Sequence, residues 1–143
     1  MFTNKKYKQL LGKVAFEEPD KLLRQKVFEN AYGIYGEKLP DIVSDRIEEE
    51  LKIISEKEQE INFLRAEMLV SASLNAGYPV NVARGVVGSL VAFLLKITDI
   101  NPLSAHYVCP KCKHTEFYTD LKYGFELPEK ICPLCVESYT KMG

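Results

Sequence analysis

Cys109-Pro110-Lys111-Cys112 and Cys132-Pro133-Leu134-Cys135 form two C-x-x-C pairs separated by nineteen residues, and no other feature of the chain limits its fold as tightly. Each pair turns sharply enough to aim two thiolates at one point. Two such points brought together in a ribbon complete a tetrahedron around a single ion, with metal–sulfur bonds of about 2.3 Å for zinc. A redox dithiol or buried free thiols are the bland alternatives, but a spaced pair of pairs favours the metal. Iron in the same four-sulfur geometry stays open as a second choice of ion. Four thiolates close the coordination shell. The ion is therefore expected to be structural, a Zn site at Cys109, Cys112, Cys132 and Cys135 whose binding energy appears as folding energy. His106 and His114 flank the first pair; with the shell already saturated, both are expected to be surface or supporting histidines rather than ligands.

The remaining chain has a different character. Pro102, Pro110, Pro128 and Pro133 crowd the last forty or so residues, together with all the cysteines and both histidines. Residues 1–104 read as helical and 105–143 as the ribbon, with a boundary near Asn101-Pro102-Leu103-Ser104. The fold class expected is α+β, a mainly helical segment followed by a small four-cysteine zinc ribbon. A first helix starts near Pro19-Asp20 and carries Leu23, Val27, Phe28, Ala31 and Tyr32 on one stripe before Gly33 and Gly36 loosen it. Pro40 and Asp41 open a second, with Val43, Ile47, Leu51 and Ile54 inward and Glu48, Glu49 and Glu50 on a solvated face. A short strand over 60–64, a third helix over 65–76 ended by Gly77, and an apolar, buried helix over 86–97 follow. In the ribbon, 115–119 and 125–127 read as strands.

Charge and hydropathy exclude several functions. Nineteen Lys and Arg against twenty Asp and Glu give a net charge of −1, which rules out a broadly basic nucleic-acid coat. The longest apolar stretch, 86–95, is too short to span a bilayer and stops at Lys96. The beginning of the chain lacks an apolar signal core, so a cytoplasmic protein with no membrane partner is expected. Lys5, Lys6, Lys8 and Lys13 form a local basic cluster, a solubilising tail or a phosphate-binding arm. The segment Asn81-Val82-Ala83-Arg84-Gly85-Val86-Val87-Gly88-Ser89 leads into the apolar helix, where N–H groups and a cation suit an anion; such a turn is more often only a turn.

The order of motifs is distinctive. Ala31-Tyr32-Gly33-Ile34-Tyr35-Gly36-Glu37-Lys38-Leu39-Pro40, Arg46-Ile47-Glu48-Glu49-Glu50-Leu51, Asn75-Ala76-Gly77-Tyr78-Pro79-Val80, Arg84-Gly85, Gly88-Ser89-Leu90-Val91-Ala92, Ile97-Thr98-Asp99-Ile100-Asn101-Pro102-Leu103 and His106-Tyr107-Val108-Cys109-Pro110 together resemble the PolC-type alpha subunit of bacterial DNA polymerase III. The resemblance runs over roughly 20–136. It implies a segment that begins the polymerase palm and carries a small zinc-binding insertion. It also implies that the loop before the apolar helix lies over the triphosphate of the incoming nucleotide, with Arg84, Gly85, Gly88 and Ser89 at the matching positions, although Asn81 and Ala83 stand where the family has glycine or serine. DNA and the remainder of a polymerase are the implied partners.

Polymerase chemistry needs carboxylates for two metal ions, and the family places its paired aspartates just beyond the zinc insertion. The aspartates here are Asp20, Asp41, Asp45, Asp99 and Asp120, none in D-x-D spacing. The function expected is a non-catalytic fragment or remnant of the palm and zinc region of a replicative polymerase, with no catalytic residue of its own. The alternative is a stand-alone zinc-ribbon protein binding nucleic acid or a protein partner.

Overall fold

The computed structural model describes residues 17–80, 88–121 and 123–143; the lysine cluster at 5–13, Arg84 and Gly85 lie outside them. The fold is α+β. Helix α1 (Pro19–Tyr35), α2 (Asp41–Glu56), α3 (Glu60–Asn75) and a short α4 (Leu90–Leu94) precede the strands β1 (His106–Val108), β2 (Thr115–Phe117) and β3 (Thr140–Met142). None of the described helices is long and apolar enough to cross a membrane.

The sequence places the start of α1 correctly and its end too early. Leu23, Val27, Ala31 and Tyr35, four residues apart, are all buried, whereas Tyr32 is exposed. The helix runs through Gly33 because burying the large Tyr35 side chain outweighs the ~1 kcal/mol that a helical glycine costs. It stops at Gly36, whose φ of 86° suits glycine. In α2 the carbonyl of Pro40 accepts from the N–H groups of Val43 and Ser44, and Val43, Ile47 and Ile54 are buried as the spacing requires.

The strand expected over 60–64 is instead the first turn and a half of α3, which is continuous from Glu60 to Asn75. Five residues with three apolar side chains fit either period, but a strand here would need a partner for its backbone, while a helix satisfies its own. Gly77 ends α3 as expected, at φ 82°. The N–H of Gly77 donates to Leu74 O and that of Tyr78 to Ser73 O, the paired bonds of a Schellman turn.

The same turn shortens the last helix. Lys96 sits at φ 60°, with its N–H on Phe93 O and that of Ile97 on Ala92 O, so α4 ends at Leu94 rather than at Ile97. At its other end Ser89 is extended and its Oγ accepts from Ala92 N; this serine cap starts α4 at Leu90, and residues 86 and 87 of the expected helix lie outside the described residues. Leu90, Val91, Ala92 and Leu94 are buried, as an almost wholly apolar segment must be.

The sheet has the order β2-β1-β3, antiparallel throughout, with Tyr107 opposite Glu116 on one side and Lys141 on the other. Alternation along β1 gives each face a different duty. Val108 joins the helical core, with Phe117 and Met142 packed against it, while Tyr107 and Cys109 belong to a second cluster with Leu127, Cys132 and Tyr139. The strand expected at 125–127 is a single 3-10 turn, Gly124–Glu126. The edge of β1 it would have needed is taken by β3. The N–H of Gly124 donates to Gly143 O, and a Cβ at Gly124 would lie 2.3 Å from Met142 O.

Candidate metal centre

The sulfur atoms of Cys109, Cys112, Cys132 and Cys135 all lie within 4.8 Å of one another. Cys109 Sγ is 3.1 Å from Cys135 Sγ, and Cys112 Sγ is 3.5 Å from Cys132 Sγ. Thiolates at the corners of a tetrahedron with metal–sulfur bonds of about 2.3 Å stand roughly 3.8 Å apart. These separations are far beyond a disulfide bond, and all four thiols are free.

The two knuckles repeat one another bond for bond. Cys109 N–H donates to His114 O and Cys132 N–H to Glu137 O; the carbonyls of Cys109 and Cys132 accept from Lys113 N–H and Val136 N–H. Both turns close on a residue in the left-handed region, Lys113 at φ 65° and Val136 at φ 64°. Proline at the second position of each pair has no N–H to satisfy.

The thiols divide into unlike partners. At Cys109 burial raises the thiol, but hydrogen bonds from the Cys112 backbone, the Cys135 thiol and the Lys111 backbone outweigh it and bring it down to about 6. Cys132 is likewise lowered: burial is outweighed by the backbones of Leu134 and Cys135. Cys112, against the lowering effect of the His114 backbone, is pushed up to about 12 by burial and by the other thiols, and Cys135 is raised chiefly by Cys109. The lowering at Cys109 and Cys132 favours the deprotonated form that binds metal, and four sulfur donors converging at these distances suit one thiophilic cation.

Val136 carries strain that the knuckle imposes. A β-branched residue in the left-handed region costs roughly 1–2 kcal/mol, and the side chain is 76% exposed, so it gains nothing by burial. Val136→Asn is expected to raise stability by about 1 kcal/mol, since asparagine tolerates this conformation; denaturant unfolding of the two proteins measures the difference.

Neither histidine belongs to the cysteine cluster, and His106 is not at the surface. It is fully buried, stacked on Phe117 at 4.6 Å between ring centroids. Ser104 O lies 2.7 Å from its Nδ1 and can only accept, so Nδ1 carries the proton. Nε2, 3.0 Å from Tyr35 Oη, then accepts from the tyrosine hydroxyl, which itself accepts from Asn101 Nδ2. Period-2 alternation puts His106 on the helical face of β1, away from the thiols. The sequence signal was its parity with Val108. His114 stays near the knuckle through its carbonyl, with its ring 3.4 Å from Glu116. Lys113 Nζ donates to Gly33 O, tying the first knuckle to the last turn of α1.

Of the positions linked with phosphate, Gly88 and Ser89 are described, and both face α2. Arg46 donates to Gly88 O at 2.9 Å and to Glu50 Oε1 at 2.7 Å. Glu50 accepts from Ser89 Oγ, Leu90 N and Val91 N. Glu50 therefore departs from the solvated acidic face expected for it: its side chain is only 13% exposed. Glu48 does lie on that face, paired with Arg24 of α1. The two carboxylates engage different elements and do not converge.

The sequence that builds this arrangement matches a known family. The chain belongs to the family described as bacterial DNA polymerase III alpha NTPase domain, which matches residues 21–121. Among its relatives are proteins named DNA polymerase III PolC-type. Those of Bacillus subtilis (strain 168) and Caldanaerobacter subterraneus are each 47% identical over 130 residues, and that of Thermotoga maritima is 45% identical. Each comparison covers 89% of this chain and 9% of the relative. The resemblance seen in the motifs is thus shown, over a small part of the relatives' length.

Proposed function

We propose that this chain serves DNA replication as a non-catalytic part of a PolC-type polymerase, a palm-like helical segment over 1–104 joined to a structural zinc ribbon over 105–143. The observation that carries this reading is a closed four-thiol cluster within a segment 47% identical to PolC-type polymerases, in a sequence with no D-x-D pair. Cys109, Cys112, Cys132 and Cys135 would hold the ion, which supplies cross-linking and charge neutralisation rather than an open coordination site. DNA and other polymerase segments are its partners and the cytoplasm its place. By resemblance, Arg84 and Gly85 are candidates for contact with a nucleotide triphosphate.

The alternative, a ribbon that binds nucleic acid on its own, has little electrostatic support. Residues 105–143 hold five lysines and five acidic residues, and Lys111, Lys130 and Lys141 pair with Glu137, Glu116 and Glu129. A ribbon of zero formal charge lacks the footprint of a phosphate-binding surface.

The purified chain, given primer, template, deoxynucleotides and magnesium, is expected to add no nucleotide above a no-protein control. Two-metal catalysis needs converging carboxylates, and Glu48 and Glu50 are committed to separate partners. Primer extension that co-purifies with the chain and is abolished by Asp99→Ala would overturn the reading.

A further inference from the structure

Arg46 and Glu50 stand one helical turn apart on α2 and together grip both polarities of the backbone at the start of α4. Arg46 takes the carbonyl of Gly88. Glu50 takes the N–H groups of Leu90 and Val91, at 2.9 and 3.0 Å, and the hydroxyl of Ser89 at 2.8 Å. The guanidinium closes the unit by donating to Glu50 Oε1. Ser89 Oγ passes the arrangement on by accepting from Ala92 N. Three donors that this junction could offer an anion, Ser89 Oγ, Leu90 N and Val91 N, are occupied by a carboxylate of the chain itself, which is already neutralised by Arg46, and Ala92 N is taken by Ser89 Oγ.

We propose that Arg46 and Glu50 are a positioning pair that fixes the Gly88–Ser89 turn on α2 and closes the head of α4 to external phosphate. The inference deepens the polymerase reading, since it is that reading which puts a triphosphate near this turn. It moves Ser89 from ligand contact to internal support. A groove of ≈ 540 Å³, lined in part by Arg46, Glu50, Phe63, Gly88 and Ser89, leads to the junction, so an anion is refused because the donors are taken and not because it cannot approach. Charge-assisted bonds to two N–H groups and a hydroxyl are also stronger than neutral ones, and a carboxylate held in place displaces a mobile competitor at no ordering cost.

The test follows backbone amides of the isotope-labelled full chain by nuclear magnetic resonance, with inorganic tripolyphosphate as the probe. In the unsubstituted protein the Leu90 and Val91 resonances are expected to stay in place on addition of millimolar tripolyphosphate. In Glu50→Gln at least one of the two amide protons moves upfield and exchanges at least about tenfold faster, because a neutral amide offers one acceptor oxygen where the carboxylate offers two. Tripolyphosphate shifting Leu90 and Val91 in the unsubstituted chain, or unchanged exchange in Glu50→Gln, overturns the proposal. Ser89→Ala provides a second reading should Glu50→Gln fail to fold. Ala92 then loses protection while Leu90 and Val91 keep theirs; loss at all three would make the serine, not the pair, the support of the turn. These readouts need neither DNA nor catalysis, so they stand or fall separately from the polymerase assignment.

Discussion

Cys132→Ser is expected to abolish stoichiometric metal binding and to cost about 5 kcal/mol or more, the largest effect of any single substitution proposed for this chain. A structural zinc ion contributes on the order of 10 kcal/mol to small domains at neutral pH, and serine is a poor, harder ligand. The damage should have a definite shape. The cluster of Tyr107, Cys109, Leu127, Cys132 and Tyr139 on one face of the sheet is too small to hold itself together, so hydrogen exchange across 105–143 should lose protection. Helices α1 to α3 have their own core of Leu23, Val27, Val43, Ile47 and Leu64 and should keep most of the far-ultraviolet circular dichroism. Because β1 also presents Val108 to that core, and Lys113 reaches Gly33 O, the last turn of α1 should loosen with the ribbon. Chelation of the unsubstituted protein should reproduce the pattern, whereas a protein whose 105–143 amides keep full protection without metal would refute it.

The second large effect is expected at the other face of β1. Tyr35→Phe removes one hydroxyl and leaves two buried groups without partners, Nε2 of His106 and one N–H of Asn101. At about 1–3 kcal/mol each, the loss should be roughly 2–6 kcal/mol in denaturant unfolding. The same network makes stability depend on pH. Burial lowers the pKa of His106 below its ordinary 6.5, against the raising effect of Ser104 O. As pH falls through 6.5 the unfolded chain takes up the proton first, so the unfolded state binds more protons and folding loses stability. Unfolding measured from about pH 7.5 down to about pH 5 should show this loss, and His106→Asn, which does not titrate, should flatten it. An unchanged slope in His106→Asn would assign the pH response to other groups.

The features legible in the sequence were those with a short-range cause. The two C-x-x-C pairs specify their own turns, and the four sulfur atoms meet as that spacing requires. Spacing of three and four residues identified the buried side of α2, and Gly77 marked the end of α3. What escaped depended on distant partners. Residues 60–64 carry no local preference strong enough to separate strand from helix. Strand β3 is recognisable only once β1 has a free edge beside Thr140–Met142. Glu50 looks like its neighbours Glu48 and Glu49 in sequence, and only the arrival of Ser89, Leu90 and Val91 from forty residues away turns it inward. His106 reads as a neighbour of the cysteines by position and is part of the helical core by parity. In each case long-range pairing decided between local options of nearly equal energy.

X-ray absorption at the metal edge of the purified chain tests the central claim most directly, because it reports both the element and the shell around it. A non-catalytic polymerase segment with a closed structural centre predicts zinc with four sulfur neighbours at about 2.3 Å and no oxygen or nitrogen ligand. An iron edge, or a shell in which water, carboxylate or imidazole replaces one of the four thiolates, would contradict it.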